Sequence, residues 1–154
     1  MTLANVGDWV RIRAVDTNSR FSERLSVSDI RFNEFVMTGK IAASGSIMYL
    51  LKKDGIQNNV PDSCFFRLFQ NCTALTTAPD LPATELASNC YNHLFSGCTS
   101  LNSIKIGYAG NFSYNNCFNY WAISVASTGT LYYNGSDTAR GYSAIPDNWT
   151  VQTF

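Results

Sequence analysis

The side chains best suited to nucleophilic or metal chemistry are five cysteines, Cys64, Cys72, Cys90, Cys98 and Cys117, and one histidine, His93. None of the cysteines stands in a Cys-x-x-Cys pair, so the usual zinc and redox spacings are missing. An odd number of cysteines also excludes a fully paired disulfide framework within one chain. A Ser-His-Asp or Cys-His site would have to use His93, and no Gly-x-Ser-x-Gly elbow, P-loop or Gly-x-Gly-x-x-Gly accompanies it. The acids, among them Asp8, Asp16, Asp29, Asp54, Asp62, Asp80 and Asp137, are scattered. They form no Asp-x-Asp-x-Asp-Gly calcium loop and favour no paired-carboxylate site. The sequence therefore assigns no catalytic residue, no cofactor and no metal.

Aromatic residues are the second chemical resource. They crowd the C-terminal third, where Tyr108, Tyr120, Tyr132, Tyr133 and Tyr142 are the candidate binding residues, because tyrosine offers a large rigid face with a polar edge. Tyr132 and Tyr133 are adjacent on an expected strand and must face opposite ways, which predicts that at least one is exposed.

An internal repeat sets the elements that position these groups. Residues 64–75 overlay residues 90–101 at an offset of 26, and Cys, Leu, Phe, Cys, Thr and Leu recur in register. The repeated core is Cys64, Leu68, Phe69, Cys72 and Leu75, then Cys90, Leu94, Phe95, Cys98 and Leu101. A degenerate third copy starts at Cys117, with Trp121 where Leu94 stood. His93 aligns with Arg67, a position the repeat leaves free, and reads as an ordinary exposed residue. Relative positions 0, 4, 5 and 8 predict one face of a two-turn helix, followed by extended segments at 76–78 and 102–106. The repeat register places the cysteines in the core as small hydrophobes. Neighbouring turns about 4.8 Å apart would also permit Cys64–Cys90 or Cys72–Cys98 bridges.

Flanking segments read as β structure. Strands are expected at 9–15, 32–38 and 40–44, with a turn at 38–40, and a short helix at 47–53 capped by Ser46. Residues 122–126 and 130–133 read as a hairpin around Ser127-Thr128-Gly129, Asn134-Gly135 as a turn, and 145–151 as the closing segment. The expected architecture is α+β: a short leucine-rich-repeat solenoid, two clear repeats plus the degenerate third. Residues 1–59 form a β-rich N-terminal cap, and residues 60–154 the repeats with a C-terminal β cap.

These residues resemble the BspA-like leucine-rich repeats. Cys90-Tyr91-Asn92-His93-Leu94-Phe95-Ser96-Gly97-Cys98-Thr99-Ser100-Leu101 and Ala78-Pro79-Asp80-Leu81-Pro82-Ala83-Thr84-Glu85-Leu86-Ala87 match that family's two alternating elements, and residues 129–151 its closing segment. The resemblance is strong over 60–154 and weaker over 1–59. It implies a surface-exposed, non-catalytic role, as in adhesins of anaerobic bacteria and proteins of the viruses that infect them.

Composition agrees with such a role. Eleven basic residues balance eleven acidic ones, so no basic excess exists to neutralise nucleic-acid phosphates. Only 14% of residues are charged, against a usual share of about 25%. The longest apolar stretch, residues 47–51, is far short of the ~20 residues of a membrane span. The first eight residues lack the basic start of a signal peptide. This reads as a mature fragment, or as a protein that leaves its cell by another route such as lysis. Four Asn-x-Ser/Thr sequons, at Asn71, Asn111, Asn134 and Asn148, are read as chance. The expected partner is a cell-surface protein or glycan, with no nucleic acid and no membrane insertion. The expected location is extracellular or the cell surface. The alternative is a phage virion component, a fibre tip or decoration protein, as a homo-oligomer such as a trimer.

Overall fold

The computed structural model describes residues 11–12, 23–24, 30–31, 34–37, 39–52, 54–136 and 145–154. The strand expected at 9–15 and the candidate Tyr142 lie outside those residues or nearly so. Nine strands are described: β1 (Glu23–Arg24), β2 (Ile30–Arg31), β3 (Ile41–Ala42), β4 (Asn59–Val60), β5 (Leu75–Thr77), β6 (Glu85–Leu86), β7 (Ser103–Ile106), β8 (Gly129–Tyr133) and β9 (Trp149–Gln152). β1 and β2 pair antiparallel. All other pairings are parallel, in a five-stranded sheet ordered β3-β5-β7-β8-β9 and a two-stranded sheet β4-β6.

The α+β solenoid expectation is corrected by this structure: the described residues of the repeat contain no α-helix, and two of the three described sheets, which carry the repeat, are parallel. The only described helices are two 3-10 segments, Ile47–Leu50 and Tyr114–Asn116. The first does start at Ser46, whose side chain accepts from Met48 N, but it ends at Leu50 rather than near residue 53. The hairpin expected at 122–133 is absent too, and part of the strand and turn expected at 32–40 lies outside the described residues. β3 and β8 instead pair in parallel with strands that are distant in sequence.

A ribbon of tight turns replaces the expected helix. Along residues 63–72 alternate backbone N–H groups have different destinations. Those of Phe66, Leu68, Gln70 and Cys72 donate three residues back, to Ser63, Phe65, Arg67 and Phe69 O. Those of Phe65, Arg67, Phe69 and Asn71 donate to Cys90, Asn92, Leu94 and Ser96 O of the next repeat. The second repeat does the same toward the third: His93, Phe95 and Gly97 donate to Asn119, Trp121 and Ile123 O. Each fourth residue has positive φ, which lets one tight turn follow another. In the first copy these are Ser63, Arg67 and Asn71; in the second, Asn89, His93 and Gly97.

This ribbon buries at least two residues in every four, and in its first turn Ser63 and Phe66 as well. Cys64, Phe65, Leu68, Phe69 and Cys72 are buried, as are Cys90, Tyr91, Leu94, Phe95 and Cys98, and then Cys117, Phe118, Trp121, Ala122 and Val125. Their partners across the core are Leu75, Leu101, Ile104, Ile106, Leu131 and Tyr133 from the sheet side. Aromatic columns tie the layers together. Phe35, Phe69 and Phe95 stack at centroid distances of 5.1 and 5.6 Å, so Phe35 supplies an earlier layer in a segment read as cap.

Phe65, Tyr91 and Phe118 form a second column, at 6.2 and 6.0 Å. Tyr91 is wholly buried, and its hydroxyl finds no hydrogen-bond partner among the described residues. A buried unsatisfied hydroxyl costs about 1–3 kcal/mol, and phenylalanine fills the same place in both neighbouring layers. Tyr91→Phe is therefore expected to stabilise the protein by about 1–2 kcal/mol, read as a higher denaturation midpoint in urea. A lower midpoint would mean that the hydroxyl is usefully bonded.

Candidate functional site

The ribbon wall and the sheet wall present different chemistry. On the sheet wall, Tyr132 is half-buried between Lys105 of β7 and Gln152 of β9. Tyr133 turns inward as the strand alternation requires, 1% exposed, and its hydroxyl donates to Gly110 O at 2.7 Å. It is a packing residue. Tyr108 is half-buried, its ring 5.6 Å from Phe118 and its hydroxyl donating to Asn111 O at 3.4 Å. Tyr120 lies on the ribbon wall beside His93. The described tyrosine candidates therefore do not converge on one site.

One column on the ribbon wall does bring large side chains with hydrogen-bonding groups together. Arg67, His93 and Tyr120 occupy the same repeat position in three successive layers, all half-buried, with φ of 60°, 57° and 54°. The Arg67 guanidinium carbon lies 5.0 Å over the Phe66 ring. His93 lies 6.1 Å from Phe66 and 4.9 Å from the Tyr120 ring. Asn92 Oδ1 makes a short hydrogen bond with His93 Nδ1. The next column holds Phe66, Asn92 and Asn119. The two amides are fixed by donation to Asn89 and Asn116 Oδ1, at 3.3 and 3.1 Å. Burial and the positive charge of Arg67 both lower the His93 pKa from the ordinary 6.5.

The backbone under this column is costly. A left-handed conformation costs a residue with a Cβ roughly 1–2 kcal/mol, and only Gly, Asn and Asp visit it readily. The flanking left-handed positions carry mostly such residues or serine: Ser63, Asn89 and Asn116 on one side, Asn71, Gly97 and Ser124 on the other. The middle column carries Arg, His and Tyr. Observed strain of this kind points to function. Sequence reasoning set Arg67 and His93 aside as a free, exposed position. The alignment of Arg67, His93 and Tyr120 was the available signal.

The thiols face away from any such role. All five are buried, and none forms a disulfide. Cys72, Cys98 and Cys117 donate to Phe35, Phe69 and Ala87 O at 2.9, 2.9 and 2.7 Å. Burial pushes Cys72 up to about 11 and Cys98 up to about 12, and it raises Cys90 further. A hydrogen bond from Cys90 lowers Cys117. Among the described residues no group of three or more His, Cys, Asp or Glu is placed to hold a metal ion, and no helix is long and apolar enough to cross a membrane. A thiol reagent is expected to label the native protein slowly and all five cysteines once it is denatured without reductant. Recovery of one or three would reveal disulfides.

No family model, curated protein or solved structure matches the chain.

Proposed function

We propose that the chain is a non-catalytic recognition module that binds a protein or glycan displayed on a cell surface, and that it acts outside the cell or at its surface. The observation that carries this reading is the Arg67–His93–Tyr120 column, where large hydrogen-bonding side chains are kept on a backbone that disfavours them. Burial of the nucleophilic thiols fits a role without covalent chemistry, and the resemblance of residues 64–101 to BspA-like units supports a surface setting. Labelled protein would be applied to arrays of glycans and extracellular proteins. Saturable binding lost on replacing Arg67, His93 and Tyr120 together by Ala, in a variant that still unfolds cooperatively, is the expected result. Wild type that binds nothing, or a variant that binds equally well, would overturn the reading.

A second reading, a virion fibre tip or decoration protein, is favoured by the edge of the large sheet. β9 is the last strand in its order, and Val151 within it and Phe154 just after it are 37% and 53% exposed. Such an edge invites pairing between copies. Light scattering that finds a trimer would support it, and a monomer at high concentration would exclude it.

A further inference from the structure

We infer that Cys90 and Cys117 are a cross-linking pair, whose disulfide fastens the second ribbon layer to the third once the protein meets an oxidising thiol buffer. Cys64, Cys90 and Cys117 hold the same repeat position in three successive layers, and all are wholly buried. Within that column the Cys90 thiol donates a hydrogen bond to Cys117 Sγ, so the two sulfurs are already in contact. The N–H groups of Asn89 and His93 donate to Asn115 and Asn119 O, which holds the two stretches side by side. Layers about 4.8 Å apart fall within the Cα separations of ~4.4–6.8 Å that a disulfide spans. Cys72 and Cys98 instead donate to the backbone carbonyls of Phe35 and Phe69, not to each other.

The hydrogen bond from Cys90 lowers the Cys117 pKa, whereas burial raises that of Cys90, so Cys117 is the attacking sulfur. It lies directly behind an exposed segment that includes Ser113, Asn115 and Asn116, the last two with positive φ. Lifting that segment breaks the bonds that Asn115 O accepts from Asn89 N and Ser88 Oγ, at 3.1 and 3.2 Å, and uncovers Cys117. The oxidant is a small disulfide such as oxidised glutathione. The Cys117 thiolate attacks one of its sulfurs, the S–S bond breaks, and one glutathione leaves as a thiolate that takes up a proton. The adduct is too large for the buried column, so closure brings Cys90 onto Cys117 Sγ. Cys90 gives up its proton, the new S–S bond forms, and the second glutathione leaves. The protein thiols lose two hydrogens in all, and oxidised glutathione gains them. Such cross-links persist outside the cell, the setting proposed above, but the pair does not depend on what the module binds.

The reduced chain would be equilibrated at neutral pH in glutathione buffers of increasing oxidised fraction and quenched with acid. A mass lower by two hydrogens is expected. A chymotryptic peptide map made without reductant should join the segment holding Cys90 to the one holding Cys117. The linked form should melt about 5–10 °C higher, and reductant should reverse the shift. Cys90→Ser and Cys117→Ser are each expected to abolish the link, and Cys72→Ser to leave it. The wild-type map decides even where a serine variant fails to fold. Joining of Cys64 to Cys90 or of Cys72 to Cys98, a stable glutathione adduct on Cys117, or a link that forms only in urea overturns the inference. So does a linked form that melts no higher than the reduced one, or a chain that keeps all five thiols in the most oxidising buffer.

Discussion

Leu94→Ala is expected to lower the unfolding free energy by about 2–5 kcal/mol, the range for a buried leucine truncated in a core that relaxes only in part. Leu94 is wholly buried in the middle ribbon layer, with Leu68 at its place in one neighbouring layer and Trp121 in the other, also wholly buried. Its carbonyl accepts from Phe69 N at 3.0 Å, and its N–H closes a turn on Tyr91 O. A cavity there loosens the interfaces with both neighbouring layers at once. A domain of this size has about 5–15 kcal/mol in hand. Leu94→Asp, which buries a charge without a partner, is expected to prevent folding. Thr99→Ala, at an exposed position in the same repeat, should shift stability by less than about 0.5 kcal/mol. Urea denaturation of the three variants measures this. Equal, small effects of Leu94→Ala and Thr99→Ala would show that the ribbon layers are not packed on one another.

The core was more legible in the sequence than the backbone that builds it. Each repeat residue placed inside, from Cys64 to Cys117, is buried, because burial depends on spacing and both candidate conformations share that spacing. Residues at 0, 1, 4, 5 and 8 share one face of an α-helix. They equally share the inner face of a turn ribbon with a period of four, and nine residues are too few to separate 3.6 from 4. The signal against a helix lay in the outer positions. Asn71, Asn89 and Gly97 belong to the types that tolerate positive φ, and they recur at the ribbon's left-handed places. Few strong helix formers surround them, whereas Cys, Phe, Asn and Thr rank low on that scale. The half-burial of Arg67 and His93 was illegible for the same reason. On a helix, Arg67 and His93 would be ordinary solvent-facing residues; on the ribbon they are half-buried and strained.

Parallel pairing was the other illegible feature. The segments at 122–126 and 130–133 look like a hairpin because a glycine lies between two apolar runs, a local signal that says nothing of distant partners. Hydrogen bonds instead send Thr130 N to Asn102 O and Ala126 N to Leu101 O. The strand then lies between β7 and β9, with Leu131 and Tyr133 inward.

Gly129 is the test of that placement, and Gly129→Ala is expected to destabilise the protein by about 3 kcal/mol, the upper end of the usual cost of overpacking. At a hairpin turn an added methyl would meet solvent. Here a Cβ on Gly129 would stand 2.5 Å from Asn102 O and 2.7 Å from Trp149 Cε2. Neither neighbour moves easily. Asn102 O is held by Thr130 N at 2.8 Å. Trp149 is 1% exposed, and its Nε1 donates to Ala126 O at 2.7 Å. A glycine inside a strand commonly marks such a close approach. Trp149→Leu removes the indole from the clash but not the carbonyl, so Gly129→Ala should cost less in that background than in the wild type. Urea midpoints of the two single variants and the double variant give the coupling, expected at about 1 kcal/mol for residues in contact. Additive effects would show that Gly129 and Trp149 do not meet. An indifferent Gly129→Ala variant would return the residue to a solvent-facing turn and remove β8 from its place between β7 and β9.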